Sequence, residues 1–269
     1  MMKIFYWEEI KNDLNNGRLI PFFKQGCGIS IGSFDGLHQG HRVLLSNLIE
    51  NCKSINLLSG VISFTRPLPS LKHASDYQGD LTTLNQRLKL FEKAGLDFAI
   101  IVNFDESFAA LSGVQFLTLL VNSCNMKFIA EGVDFRCGYK GATDITAIKY
   151  FADSKNIKYN FVEPVYYRQG TNEQERISSS YIRTMVLKRF LSTVQELLLR
   201  PYSLELKFET ERTVLLKSEI KQVLPPNGVY SVGVKGKKVR LEITEKELQF
   251  QFIDGFDKTL LNELVEVVL

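Results

Sequence analysis

The chain has 269 residues, 45% of them apolar and 23% charged, the balance of an ordinary globular protein with room for one large domain and a small one. Lys and Arg number 33 against 30 Asp and Glu, a net charge of +3, too small an excess to argue for nucleic acid or an anionic membrane as partner. Four scattered cysteines without a Cys-x-x-Cys pair, together with only three histidines, exclude a zinc site of the usual spacing and suit a reducing compartment.

The opening MMKIFYWEEIKND turns acidic before any long apolar stretch, so no signal peptide is expected. No run reaches bilayer-spanning length, and the expectation is a soluble, cytoplasmic protein. Short apolar runs then read as strands at Cys27 to Phe34, Gly60 to Phe64, Phe98 to Val102 and Lys127 to Ala130. Between them lie helical patterns. Leu44, Leu45, Leu48 and Ile49 form one stripe. Thr83 with Gln86 predicts a capping box opening a helix over Leu84 to Ala94, and Ser112 with Gln115 repeats the signature before Phe116 to Val121. Alternating strands and helices predict a parallel sheet flanked by helices, with ligands at the carboxyl ends of its strands. From about Leu204 the period changes to two: Leu204, Leu206, Phe208; Val239, Leu241, Ile243; Leu248, Phe250, Phe252. This predicts a small antiparallel β unit, with a turn at Pro225 to Gly228 and a closing helix from about Lys258. The junction falls in the stretch Lys188 to Ser203.

The segment ISIGSFDGLHQGHRVLL, Ile29 to Leu45, carries the chemistry. A strand runs into Gly32, Gly36 and Gly40 and then into a helix beginning near His41. Such a unit presents free backbone N–H groups and a positive helix end to an anion. His38 and His41, three apart, face one spot if the loop closes into the first helical turn. The alternative is a plain glycine turn with structural histidines.

GSFDGLHQGH resembles the G-x-F-D-G-x-H-x-G-H signature of the nucleotidyltransferases. Three further segments narrow the likeness to the bacterial FAD synthetase family: Leu81 to Leu117, EGVDFRCGYKG at Glu131 to Gly141, and ISSSYIR at Ile177 to Arg183. The resemblance implies a Rossmann-like adenylyltransferase domain over 1–190, with ATP and FMN as small-molecule partners. The oligomeric state is left open. It implies attack by the FMN phosphate on the α-phosphorus of ATP. His38 and His41 would donate to the phosphates, with Arg183 as a bidentate fork. Gly32, Phe34, Asp35 and Gly36 would shape the nucleotide loop, and Ser178 and Ser179 would hold the β,γ end. Arg66, Asp134 and Phe135 are the implied FMN contacts. Mg²⁺ is implied as a phosphate-borne ion with no protein ligand named. Alternative readings are a plain helix cap for Ser178 and Ser179, a solvated Arg183, an Asx turn at Asp35 and core packing for Phe135. Arg66 stands where the family usually shows His, and Cys137 where it shows Phe.

The family's second half begins near G-R-P-Y and continues with a glycine-rich P-T-A-N segment. Here Arg200, Pro201 and Tyr202 remain, followed by SLELKFETERTVLLKSEIK, with no glycine before Gly228. A kinase needs small residues to admit ATP phosphates and polar ones for the metal. The expectation for 191–269 is a shortened, kinase-inactive β domain. The competing readings are a bifunctional enzyme with a divergent kinase and a flavin- or nucleotide-binding regulator without turnover.

Overall fold

The computed structural model describes residues 1–68, 77–209, 213–253 and 255–269. The chain divides into two compact units. The first comprises Met1–Phe34, Gly40–Lys72 and Leu88–Val165, and the second Asp35–Gln39, His73–Arg87 and Tyr166–Leu269. The five residues Asp35–Gln39 around His38 belong to the second unit.

The first unit is built on β1 (Lys3–Tyr6), β2 (Cys27–Ile31), β3 (Leu58–Phe64), β4 (Phe98–Val102) and β5 (Met126–Gly132). A short hairpin of β6 (Arg136–Cys137) and β7 (Thr143–Asp144) follows, and then β8 (Lys158–Val162). The large sheet has the order β1-β4-β3-β2-β5-β8, and every neighbouring pair is parallel. The connecting helices are α1 (Trp7–Asn15), α2 (Gln39–Ser54), α3 (Leu84–Ala94), the single turn α4 (Glu106–Ala109), α5 (Gly113–Cys124) and α6 (Ile145–Ser154). Cys27, Ile29 and Ile31 of β2 share one core with Leu14, Phe116, Leu120 and Ile148 from α1, α5 and α6. The intervening Gly28 points the other way. A Cβ there would lie 2.3 Å from Cys52 Sγ of α2, so α2 covers the opposite face with Leu44, Leu45, Leu48 and Ile49 buried. Strand order reverses between β2 and β5. This is the switch point outside which open α/β sheets bind their ligands.

The second unit holds a ribbon of β9 (Tyr166–Tyr167) with β10 (Glu175–Arg176), then α7 (Ser179–Leu187) and α8 (Leu191–Leu198). Next comes an antiparallel sheet of β11 (Ser203–Lys207), β12 (Val214–Leu216), β13 (Gly228–Val234), β14 (Lys237–Ile243), β15 (Glu247–Phe252) and β16 (Leu264–Val268). Its order is β11-β16-β13-β14-β15-β12, a half-barrel whose edges are β11 and β12. Leu204, Leu206 and Phe208, and likewise Val239, Leu241 and Ile243, are buried in alternation. The closing helix expected from Lys258 is corrected. Lys258–Leu260 is a single 3₁₀ turn, and the chain then extends as β16 beside β11. Val265 and Val267 are buried between exposed neighbours, and β-branched residues at period two favour the strand.

Candidate active site

The first unit carries a cavity of about 410 Å³ at the carboxyl ends of β2, β3 and β4. Ile31 and Gly32 close it at the end of β2, Phe64 ends β3, and Leu68 follows it. Phe104, Phe108 and Phe116 come from the segment after β4, and Phe135, Cys137 and Tyr139 from the loop after β5. The aromatic wall is packed edge to face, with Phe104–Phe108 centroids 5.7 Å apart and Phe108–Phe116 centroids 5.4 Å apart, a geometry that adds to the area each ring buries. Burial pushes the Cys137 thiol up to about 12, helped by the charge of nearby Glu131, so the group lines the wall as an uncharged thiol. Glu131 is itself buried, its carboxyl raised by desolvation, and its Oε1 accepts the Ile31 N–H at 2.6 Å. That bond lies beyond the last paired residues of β2 and β5, Ile29 and Ile129, where the two strands part.

After β2 the chain enters a tight turn. Phe34, Gly36 and Leu37 all adopt left-handed backbone, with φ of +48°, +80° and +41°. At Gly36 a Cβ would stand 2.8 Å from Leu81 Cδ1, so both the conformation and the space require glycine. Leu37 and Phe34 have no such licence and are held against their preference. Buried His38 follows, one residue before α2. His41 lies in the first turn of α2 with its ring 5.3 Å from that of Phe34, edge on. Desolvation lowers the His41 pKa to about 3, so at neutral pH the imidazole is uncharged and acts as a single N–H donor.

Within the second unit the turn is pinned. The Asp35 carboxylate accepts the Leu81 N–H at 2.9 Å, and the Thr82 N–H and hydroxyl at 2.9 Å each. Arg183 Nη2 pairs with its Oδ2. Arg183 also donates from Nε to the Gly79 carbonyl at 2.7 Å and from Nη2 to the Tyr77 hydroxyl at 3.1 Å. Burial pushes the Asp35 carboxyl up, while Arg183 and the Leu81 amide oppose it. Ser178 caps α7, accepting the Tyr181 N–H at 3.1 Å, and the Ser179 hydroxyl donates to the Asp35 carbonyl at 2.8 Å.

Of the residues singled out from the sequence, Phe34, Gly36, His38 and His41 sit in or beside the turn. Gly32 and Phe135 line the cavity. Arg66 is half-buried after β3 and Asp134 is exposed after β5; neither is part of the cavity wall. Only 5% of Arg183 is exposed, and its guanidinium pairs with Asp35. For Ser178 the cap is what forms. Sequence reasoning missed the Phe104, Phe108, Phe116 wall; Arg176 is exposed on β10 two residues ahead of the cap. The three aromatics clustered between Phe104 and Phe116 were the available signal for the wall. Among the described residues no three His, Cys, Asp or Glu side chains gather as a metal site, and no helix is long and apolar enough to cross a membrane.

The FAD synthetase family profile matches residues 21–181. The chain is 34% identical over 178 residues to the bifunctional riboflavin kinase/FMN adenylyltransferase of Buchnera aphidicola subsp. Schizaphis graminum, covering 65% of this chain and 55% of that one. It is 32% identical over 223 residues to the Escherichia coli K12 protein of the same name, covering 79% and 69% respectively. The match therefore spans little more than half of the first relative's length. In structure, the chain resembles a macrolide-efflux protein from Streptococcus pneumoniae, with a TM-score of 0.75, 19% identity, and 100% of this chain and 98% of that chain covered, a likeness of fold alone. The profile takes in the cavity's β2 and β5 strands, the pinned turn and the Ser178 cap together, and the chain belongs to the FAD synthetase family of enzymes.

Proposed function

We propose that the chain is an FMN adenylyltransferase, transferring AMP from ATP to FMN to give FAD and pyrophosphate. The observation that carries this is an aromatic cavity at the switch point whose strand β2 runs, through Gly32, into the turn before His38 and then into α2, which bears His41. A planar tricyclic ring suits a narrow aromatic wall, and polyphosphate suits amide donors and imidazoles at a helix start. The nucleophile needs no general base, because a phosphate monoester has its second pKa near ~6 and is already a dianion at neutral pH. The obstacle is charge repulsion, so the chain's contribution is positioning and donation.

His38 and neutral His41 donate N–H bonds to the α- and β-phosphates, which strengthen as charge grows on the bridging oxygen. The Ser179 and Ser180 N–H groups at the mouth of α7 take the β,γ end. Arg176, exposed ahead of that mouth, supplies the cation first expected of Arg183. Phe135 stacks in the flavin cavity; Arg66 and Asp134 approach the acceptor only from its rim. Mg²⁺ belongs to the substrate, arriving on the nucleotide's phosphates. Residues 191–269 contribute no kinase chemistry, because the stretch from Ser203 to Asn227 has no glycine to admit phosphates.

Incubation of the purified chain with Mg-ATP and either FMN or riboflavin, with products resolved by chromatography, tests this. FAD from FMN and none from riboflavin is expected. FAD from both would make the chain bifunctional, and firm FMN binding without turnover would make it a regulator.

A further inference from the structure

The segment after α8 preserves Arg200-Pro201-Tyr202, a remnant of the family's second half that the adenylyl transfer leaves unexplained. Arg200 Nη2 donates to the carbonyl of Gly36 at 2.8 Å, and its Nη1 reaches the carbonyl of Leu198 at 3.3 Å. The Gly36 N–H is taken by the Thr82 hydroxyl at 3.0 Å, and the Gln39 amide donates to the Glu196 carbonyl at 2.8 Å. The turn that presents His38 is thus held on both sides of Gly36, by the loop after Gly79 and by the chain leading into the half-barrel. That loop is itself tied down: Asp80 exchanges backbone bonds with Lys221 and Val223, and Gln222 Nε2 donates to the Leu81 carbonyl at 3.2 Å.

We propose that Arg200 is a positioning residue for adenylyl transfer, and that the retained R-P-Y segment serves the phosphate turn rather than any kinase chemistry. This rests on the reading of the turn given above. Left-handed Phe34 and Leu37 relax toward ordinary backbone unless neighbours over-determine them. The Arg200–Gly36 bond and the Ser179–Asp35 bond each hold one of the turn's own carbonyls. Releasing the former lets Leu37 relax and swings His38 off the phosphate, which lowers turnover with little change in substrate binding.

The test compares wild-type protein with Arg200→Ala in two assays. In hydrogen exchange read by mass spectrometry, the peptide covering 34–39 should exchange several-fold faster in the variant, while peptides from β13 and β14 stay unchanged. In turnover, kcat should fall about tenfold or more, with KM for ATP and for FMN within about twofold, and added guanidinium ion should restore part of the loss. Unchanged exchange at 34–39, or a loss confined to KM, overturns the proposal. If the wild-type chain makes no FAD, the functional reading fails while the exchange assay still decides the clamp. Should Arg200→Ala fail to fold, Arg200→Gln, which leaves one of the two carbonyls unmet, is read in the same assays by the same criteria.

Discussion

Replacing Arg183 by Met separates the two roles open to its guanidinium. Asp35 and Arg183 are 2% and 5% exposed, and the carboxylate keeps its Leu81 and Thr82 donors when the guanidinium goes. What remains is a desolvated charge without its partner. Breaking a buried pair from one side costs about 3–5 kcal/mol, and the bonds to Gly79 and Tyr77 are lost with it. Arg183→Met should therefore destabilise by about 3–5 kcal/mol, and Asp35→Asn by a similar amount. The double variant should fall short of the sum by about 1–3 kcal/mol, because the second change removes a group already orphaned. Urea unfolding of the four proteins at neutral pH measures all three quantities. A phosphate fork predicts something else: a stability within about 0.5 kcal/mol of wild type and a large rise in KM for ATP. That pairing of results would refute the buried-clamp reasoning and return Arg183 to the ligand.

His38→Ala should lower kcat about a hundredfold, with KM for ATP changed by no more than about threefold, since the lost donor acts mainly as charge develops; steady-state kinetics checks this. The His41 pKa in the folded chain is depressed to about 3, against about 6.5 unfolded. Its contribution is therefore fully present above pH 6.5 and is lost as pH falls toward 3. Because the residue as a whole is partly exposed, the loss should be about 1 kcal/mol per pH unit or less. Melting of wild type and His41→Asn at pH 7 and pH 5 should show the slope shrink in the variant. Phe135→Ala removes a wall of the cavity and should weaken FMN binding about tenfold while leaving ATP binding unchanged, as read by quenching of flavin fluorescence and by titration with nucleotide.

Local signals were readable where they were strong. Helix α3 spans Leu84–Ala94, the range set by its capping box, because Thr83 and Gln86 satisfy each other's backbone within one turn. The C-terminal strand was not readable. Leu260, Leu261, Leu264, Val265 and Val268 recur at intervals of one, three and four, a pattern shared with an amphipathic helix. The partner that decides against the helix, β11, lies some sixty residues away. The same distance problem governs the site. The family's motif brings Asp35 and Arg183 into one catalytic vocabulary, yet spacing along the chain says nothing of which way each points. The guanidinium turns inward because a buried carboxylate 148 residues earlier sits under three donors that already fix it, and an unpaired charge on either side would cost more than the pair. Recurrence in a motif therefore marks residues that the reaction needs without separating those that meet the substrate from those that hold the turn. At this site burial is the feature that tells the two apart: Arg183 is 5% exposed and paired with Asp35, whereas Arg176 is exposed on β10.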